Sequence, residues 1–377
     1  MKKLILPLLL PLLLLCGCDG YGSYSEIEDT FLVSGIAVDK GENKKYSVTV
    51  EIVGSNSGDT APTRKQLLLS GEGSTVYSAL GEVSSAASKK LFFSQTVAVV
   101  IGEEAARGGI YEIIDLAMRD TELRITSDVI IAKGGKAKDL FLMPSAGEPI
   151  RAYEMRNVLK NSQKTYSVSP EVKIYELINK ISEKGIAASL PAFSAEESEK
   201  KRSLAICGTA LFNEDKLSSF LGVNESKIMS MVMGKTNETT ITEKVGENVV
   251  SQRIYKCTSS VKPEFKGNKP KIKILLKLES DIDELISKDH VLSDEEHDKI
   301  IKELEKKLKN DVLSLTKKFA YEVDEDIFGF GNLIYKKYPQ KWESFKKEDY
   351  LKNIDYDVNV QITLRSTGFI NKTDDEK

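Results

Sequence analysis

Histidine is scarce in this sequence, and its scarcity limits the catalytic chemistry that the chain could perform. The two histidines, His290 and His297, lie seven residues apart among acidic residues. Zinc ligands that share a helix face are usually about three to five residues apart, so we predict that this pair lies at the solvated start of a helix. The sequence also has no P-loop, no Gly-x-Ser-x-Gly elbow and no His-Glu-x-x-His motif. We therefore expect no enzymatic activity, no metal and no noncovalent cofactor.

Cysteine is also rare, with four residues in the chain. Cys16 and Cys18 lie near the start, which leaves Cys207 and Cys257 in the body of the protein. In an exported protein these two could form a disulfide. We favour the alternative that both are small buried hydrophobic residues, because free cysteine commonly packs in this way.

The chain lacks an excess of basic residues and has only one long apolar run. Its formal net charge is −3, and removal of residues 1–17 would leave 52 basic against 57 acidic side chains. A mildly acidic chain with dispersed lysines lacks the clustered basic residues that bind nucleic acid. After the run at residues 4–15, no stretch approaches the ~20 consecutive apolar residues of a membrane-spanning helix.

The first 18 residues are typical of a bacterial lipoprotein signal. Lys2 and Lys3 precede the apolar run, and Leu15-Cys16-Gly17-Cys18 resembles a lipobox. We predict a signal peptide at residues 1–17 and a covalent diacylglyceryl group, with or without an N-acyl chain, on the thiol of Cys18. Two acyl chains hold a protein stably at a bilayer, whereas one binds reversibly. Residues 18–30 would then form the lipidated cysteine and a flexible leash. An ordinary signal peptide or an uncleaved anchor is the alternative.

The remaining residues indicate an α/β protein with three domains, each a mostly antiparallel or mixed sheet flanked by helices. Residues 31–135 have strands followed by strand–helix alternation, which predicts an N-terminal mixed-sheet domain that opens with a hairpin. Residues 136–235 predict a helix-rich middle domain. Residues 236–377 predict a C-terminal domain in which a long amphipathic helix packs on an antiparallel sheet.

Three local expectations are specific enough to check. The polar run at residues 194–202 predicts a loop. Apolar residues spaced three and four apart predict one helix from about Ser293 to about Tyr321, with its Lys/Glu face solvated. Strict alternation of apolar and polar side chains at residues 354–365 predicts an antiparallel strand with one solvent-exposed face.

Several stretches together resemble the Ger(x)C family of spore-germination lipoproteins. The last of them is the most specific, because aromatic residues and glycines at that spacing between two helices rarely coincide by chance. The stretches are the Cys18 lipobox, residues 35–40 (Gly-Ile-Ala-Val-Asp-Lys), 116–120 (Leu-Ala-Met-Arg-Asp) before 131–134 (Ile-Ala-Lys-Gly), 208–212 (Gly-Thr-Ala-Leu-Phe) with 215–217 (Asp-Lys-Leu), and 326–331 (Asp-Ile-Phe-Gly-Phe-Gly) with Tyr338, Pro339 and Trp342.

The resemblance implies the C subunit of a nutrient germinant receptor. It implies three α/β domains of an unusual fold on the outer face of the spore inner membrane, beside channel-like A and transporter-like B membrane subunits. The function it implies is receptor assembly or signal coupling during germination. The chain departs from the family at its anchor, where Asp19 follows Cys18 in place of the tryptophan that is common there. We expect the flexible leash, rather than an aromatic side chain at the membrane surface, to set the distance of the folded domains from the membrane.

Other interpretations stay open at this point. A lipid-anchored extracytoplasmic solute-binding protein would need two lobes and a concave cleft, and a membrane-tethered hydrolase would need a carboxylate pair in a pocket. Phe328, Phe330 and Trp342 are candidates for a partner interface, but buried packing around a turn is the interpretation we favour for them.

Overall fold

The structure is a computed structural model and describes residues 27–56, 63–119, 122–144, 147–198, 201–286, 294–323, 325–345 and 350–366. Cys18 and His290 lie outside these residues. The strands are β1 Thr30–Lys40, β2 Tyr46–Asn56, β3 Thr63–Gly73, β4 Lys90–Phe92, β5 Ala98–Gly102, β6 Asp128–Ala132, β7 Ser189–Ser198, β8 Lys201–Asn213, β9 Lys216–Leu221, β10 Thr239–Val245, β11 Asn248–Lys266, β12 Lys269–Ile286 and β13 Asp355–Ser366. The helices are α1 Val76–Ala86, α2 Glu103–Gly108, α3 Tyr111–Arg119, α4 Ala137–Phe141, α5 Arg151–Thr165, α6 Ile174–Ser182, α7 Val223–Val232, α8 Asp294–Lys318, α9 Phe330–Lys337 and α10 Pro339–Phe345.

The first sheet has the strand order β3-β2-β1-β5-β6-β7-β8-β9, with β4 paired to β1. Both ends of the sheet are antiparallel, and the expected hairpin of β1 with β2 is confirmed. In the middle, β1, β5, β6 and β7 pair in parallel. Because helices cover both faces of this part of the sheet, β5 and β6 are buried along their whole length and are almost wholly apolar.

Alternate residues of the central strands enter two different cores. Ile36, Val99 and Ile131 face α1, α3 and α6. Their neighbours Ala37 and Val100 face the opposite layer, which α4 and α5 form. The first half of the chain is therefore a sheet between two helical layers, as the period of two along each strand requires.

The second sheet has the order β10-β11-β12-β13, and α8 packs across one face of it. On β12, Ile272, Ile274 and Leu276 are buried, and Leu304 and Leu308 of α8 pack in the same core. The predicted long helix is confirmed over Asp294–Lys318, and a π-helical turn at Phe319–Val323 continues it.

Two sequence expectations are wrong. Strand β13 runs parallel to β12, so the last sheet is mixed rather than antiparallel. The connection through α8 carries the chain back to the same end of the sheet, and a crossover of this kind produces a parallel pair. The polar run at 194–202 is not a loop, because β7 extends to Ser198 and β8 begins at Lys201.

The mixed α/β class with sheets flanked by helices is confirmed. The division into three domains at residues 135 and 235 stays a prediction. The first sheet itself continues past residue 135, because β6 pairs with β7, whose residues begin at position 189.

Candidate functional site

The most specific sequence motif, residues 326–331, forms the start of α9, and a buried carboxylate defines that start. Asp326 accepts hydrogen bonds from the amides of Phe330 (2.9 Å) and Gly331 (2.6 Å) and from the hydroxyl of Tyr350 (2.7 Å). A carboxylate is favoured at the amino end of a helix, where backbone N–H groups lack helical partners. Burial nevertheless raises the pKa of Asp326 to about 6, because desolvation outweighs these hydrogen bonds.

The aromatic residues of the motif belong to the hydrophobic core of the second sheet. Phe330 is 1% exposed and Trp342 is 4% exposed, while Phe328 is half-buried. The ring of Phe328 stacks on that of Phe330 at 5.1 Å, and Trp342 meets Tyr350 edge to face at 5.3 Å. Phe330 and Trp342 are thus enclosed by neighbouring side chains, whereas part of Phe328 is exposed; a role of these three residues in a partner interface stays a prediction.

The same motif joins the two halves of the chain. The amide of Ala187, just before β7, donates to the carbonyl of Asp326 at 2.8 Å, and the amide of Asn332 donates to the carbonyl of Gly185 at 2.8 Å. Gly185 has a φ of +66°, and a Cβ added there would lie 2.7 Å from the backbone of Gly331. The first sheet is therefore attached to the second through a backbone contact that only glycine permits.

Other stretches that carry the family resemblance use their acidic residues in the same way. Asp39, at the end of β1, accepts the amides of Ala137 (2.6 Å) and Lys138 (3.0 Å) at the start of α4. Asp215, in the β8–β9 turn, accepts the amide of Tyr111 at the start of α3 (3.2 Å). In each case the acidic residue lies far along the chain from the helix that it caps. These motif residues organise the fold.

Sequence reasoning missed a fourth capping carboxylate, Glu51 of β2. It is fully buried and accepts the amides of Arg151 (2.5 Å) and Ala152 (2.9 Å) at the start of α5. Ser34 and Gln66 donate to it from β1 and β3. In the alternation of β2, Glu51 lies on the polar face with Ser47 and Thr49, so the local pattern gave no signal that it is buried.

The two remaining cysteines, Cys207 and Cys257, are half-buried and are not bonded to each other. Burial raises the pKa of the Cys257 thiol to about 12, so this thiol is protonated at neutral pH and is a weak nucleophile. Across the described residues, no group of three or more His, Cys, Asp or Glu side chains is arranged to hold a metal ion.

A broad groove of about 740 Å³ lies between α1 and α3, with Tyr77 and Tyr111 at its exposed rim. Its charges are paired with one another. Glu112 accepts from the ammonium group of Lys45 at 2.5 Å, and Arg119 pairs with Asp115 at 2.6 Å. The groove therefore has little uncompensated charge with which to select a ligand.

Two family models match the chain over almost its whole length. The model described as "Spore germination protein N-terminal domain" matches residues 23–195, and "Spore germination B3/ GerAC like, C-terminal" matches residues 207–368. The chain belongs to this spore-germination family. The Ger(x)C resemblance drawn from the motifs is confirmed. The boundary between the two models falls in the β7–β8 hairpin of the first sheet.

Similar proteins support the same assignment. Spore germination protein KC of Bacillus subtilis (strain 168) is 25% identical over 399 residues, which cover 97% of this chain and 95% of that protein. Spore germination protein A3 of the same organism is 26% identical over 382 residues, 98% of each. The crystal structure of the GerBC protein has a TM-score of 0.54 at 22% identity and covers 87% of this chain and 96% of its own. At this identity the structural likeness establishes the fold.

Within the part of the chain that the structure describes, no helix is both long and apolar enough to cross a membrane.

Proposed function

We propose that this germination protein is the lipid-anchored C subunit of a nutrient germinant receptor and acts as a non-enzymatic scaffold on the outer face of the spore inner membrane. Its partners in this proposal are the A and B membrane subunits. Tethering through Cys18 confines the protein to the surface on which those subunits lie. Confinement raises the effective concentration, so modest interfaces suffice for assembly.

The observation that carries the proposal is the architectural use of the family motifs. Asp39, Asp215 and Asp326 are each engaged by backbone amides at the start of a helix. Side chains used in this way fix helices against strands, and a pre-organised surface suits a protein that docks onto partners. Membership of a spore-germination family supports the setting, and the Cys18 motif supports the anchor.

The anchor is tested by Cys18→Ala in the full chain. We expect the protein to lose its acyl mass, to leave the membrane fraction, and to stop co-purifying with the A and B subunits. Germination through this receptor should fall in the same strain. Cys16→Ala, two residues away in the predicted signal peptide, is the matched control and should leave acylation and fractionation unchanged. An acylated, membrane-bound Cys18→Ala protein would refute the anchor.

A further inference from the structure

A second concave surface lies in the C-terminal half, between α7, β10 and α8. Its volume is about 320 Å³, which falls at the lower end of the range of about 300–1,000 Å³ for small-molecule sites. Its floor is apolar and comes from all three elements. The residues of this floor are Ile228, Met231, Ile241, Leu304 and Leu308.

A lysine provides positive charge in this cleft. The ammonium group of Lys227 donates to the carbonyl oxygen of Thr240 at 2.8 Å. Among the contacts of the described residues this is its one hydrogen bond, which leaves two of its three N–H donors for a ligand. Burial lowers the pKa of Lys227, because the ammonium group has lost part of its water. An anionic group placed beside it would restore the missing solvation.

Besides Lys227, two carboxylates and one further lysine line the cleft. Glu243 of β10 and Asp311 of α8 both line it, and Lys307 lies among them and forms an ion pair with Glu243. Asp311 is half-buried, and its pKa is raised by burial and by the negative charge of Glu243. Two carboxylates therefore share one ammonium group, and a further cation would relieve their repulsion.

We propose that this cleft binds a small zwitterion with an aliphatic body, the anionic group against Lys227 and the cationic group against Asp311 and Glu243. The apolar floor holds the aliphatic part. Beyond Asp311 lies a second hollow, which is lined in part by the ion pair of Lys318 with Glu225 (2.6 Å) that links α8 to α7. The site is independent of the anchor and goes beyond the scaffold role.

The test is calorimetric titration of the full-length chain in detergent with two isomeric probes, 6-aminohexanoate and norleucine. The first holds its charges apart and the second holds them together, so their ranking reports the distance between the two subsites. Hexanoate and hexylamine carry the same aliphatic body with one charge each. We expect at least one isomer to bind ten or more times tighter than either single-charge analogue. Failure of both isomers to bind would overturn the proposal.

Variants assign the two ends of the site. Lys227→Met should reduce zwitterion affinity to that of hexylamine, and Asp311→Asn should reduce it to that of hexanoate. Lys302→Met and Asp298→Asn, on the exposed face of α8, are matched controls that should bind as the parent does. Lys227→Arg keeps the charge and should retain binding, which separates loss of the cation from loss of the fold. Binding that is unaffected by Lys227→Met and by Asp311→Asn would place the ligand elsewhere and refute this assignment.

Discussion

At the scale of single residues, buried carboxylates begin several helices, two of them from positions far away in the sequence and one from the preceding turn. Asp39, Glu51 and Asp326 are buried, and each accepts two backbone amides at the start of a helix. Transfer of a carboxylate into the interior is unfavourable unless it is hydrogen-bonded, so these contacts offset a desolvation penalty. Where burial outweighs them, as at Asp326, the folded protein holds the proton more tightly than the unfolded chain does.

Asp326 should therefore make the stability depend on pH in a defined direction. Its pKa is about 6 in the folded state against an ordinary value of 3.8. The stability that this group contributes is fully present below pH 3.8 and is lost as the pH rises towards 6. The difference between the two values corresponds to about 3 kcal/mol.

The measurement is urea unfolding of the parent and of Asp326→Asn between pH 4 and pH 7. Because asparagine does not titrate, the parent should lose about 2.4 kcal/mol more than the variant across this range, since part of the ~3 kcal/mol is already lost at pH 4. Parallel curves for the two proteins would show that Asp326 has an ordinary pKa in the folded state.

At the scale of elements, a short helix depends on a strand that lies far away in the sequence. Helix α4 has five residues, and an isolated helix of that length is unstable in water. Asp39 satisfies two of its first amides from the end of β1, and Leu140 and Phe141 pack in the core beside it. The sequence pattern of α4 alone is weak, and tertiary contacts supply its stability.

We expect Asp39→Ala to lower the free energy of unfolding by about 1–2 kcal/mol, because two buried amides lose their acceptor. The measurement is chemical denaturation at pH 7. Glu104→Ala is the control. Its carboxylate lies 3.8 Å from the ammonium group of Lys40, and both side chains are mostly exposed, so its removal should change the stability by less than about 0.5 kcal/mol. Equal effects of the two substitutions would contradict the capping role.

At the scale of the whole molecule, two sheets with separate cores are joined by backbone contacts and a shared apolar cluster. Leu211 and Leu221 of the first sheet pack against Leu315 and Phe319 at the end of α8 and beside it. Gly185 meets Gly331 at the start of α9. A defect at this glycine pair should therefore affect both halves.

Gly185→Ala tests this contact, and Gly267→Ala is its matched control. Both glycines are left-handed, with φ of +66° and +64°, but a Cβ at Gly267 has no atom within 4 Å, whereas one at Gly185 would overlap the backbone of Gly331. Both variants carry the conformational penalty of about 1–2 kcal/mol. Gly185→Ala should be less stable than Gly267→Ala by at least about 2 kcal/mol in thermal or urea unfolding. Equal stability of the two variants would show that the contact between Gly185 and Gly331 accommodates a Cβ with little loss of free energy.

Local patterns in the sequence determined the type of most elements and the class of the fold. Alternation identified β2 and β12, and the spacing of apolar residues identified α8, because side-chain periodicity follows directly from strand and helix geometry. The motif at residues 326–331 identified the family. The lipobox at Cys18 determined the expectation of an anchor.

The tertiary structure alone decided strand direction, the capping carboxylates and the cleft beside α7. Alternation is identical in parallel and antiparallel strands, so the pattern of β13 contained no information about its partner's direction. Asp39 and Ala137 are 98 positions apart, and Lys227 and Asp311 come from different helices. Contacts of this range depend on how the whole chain packs, and no window of neighbouring residues records them.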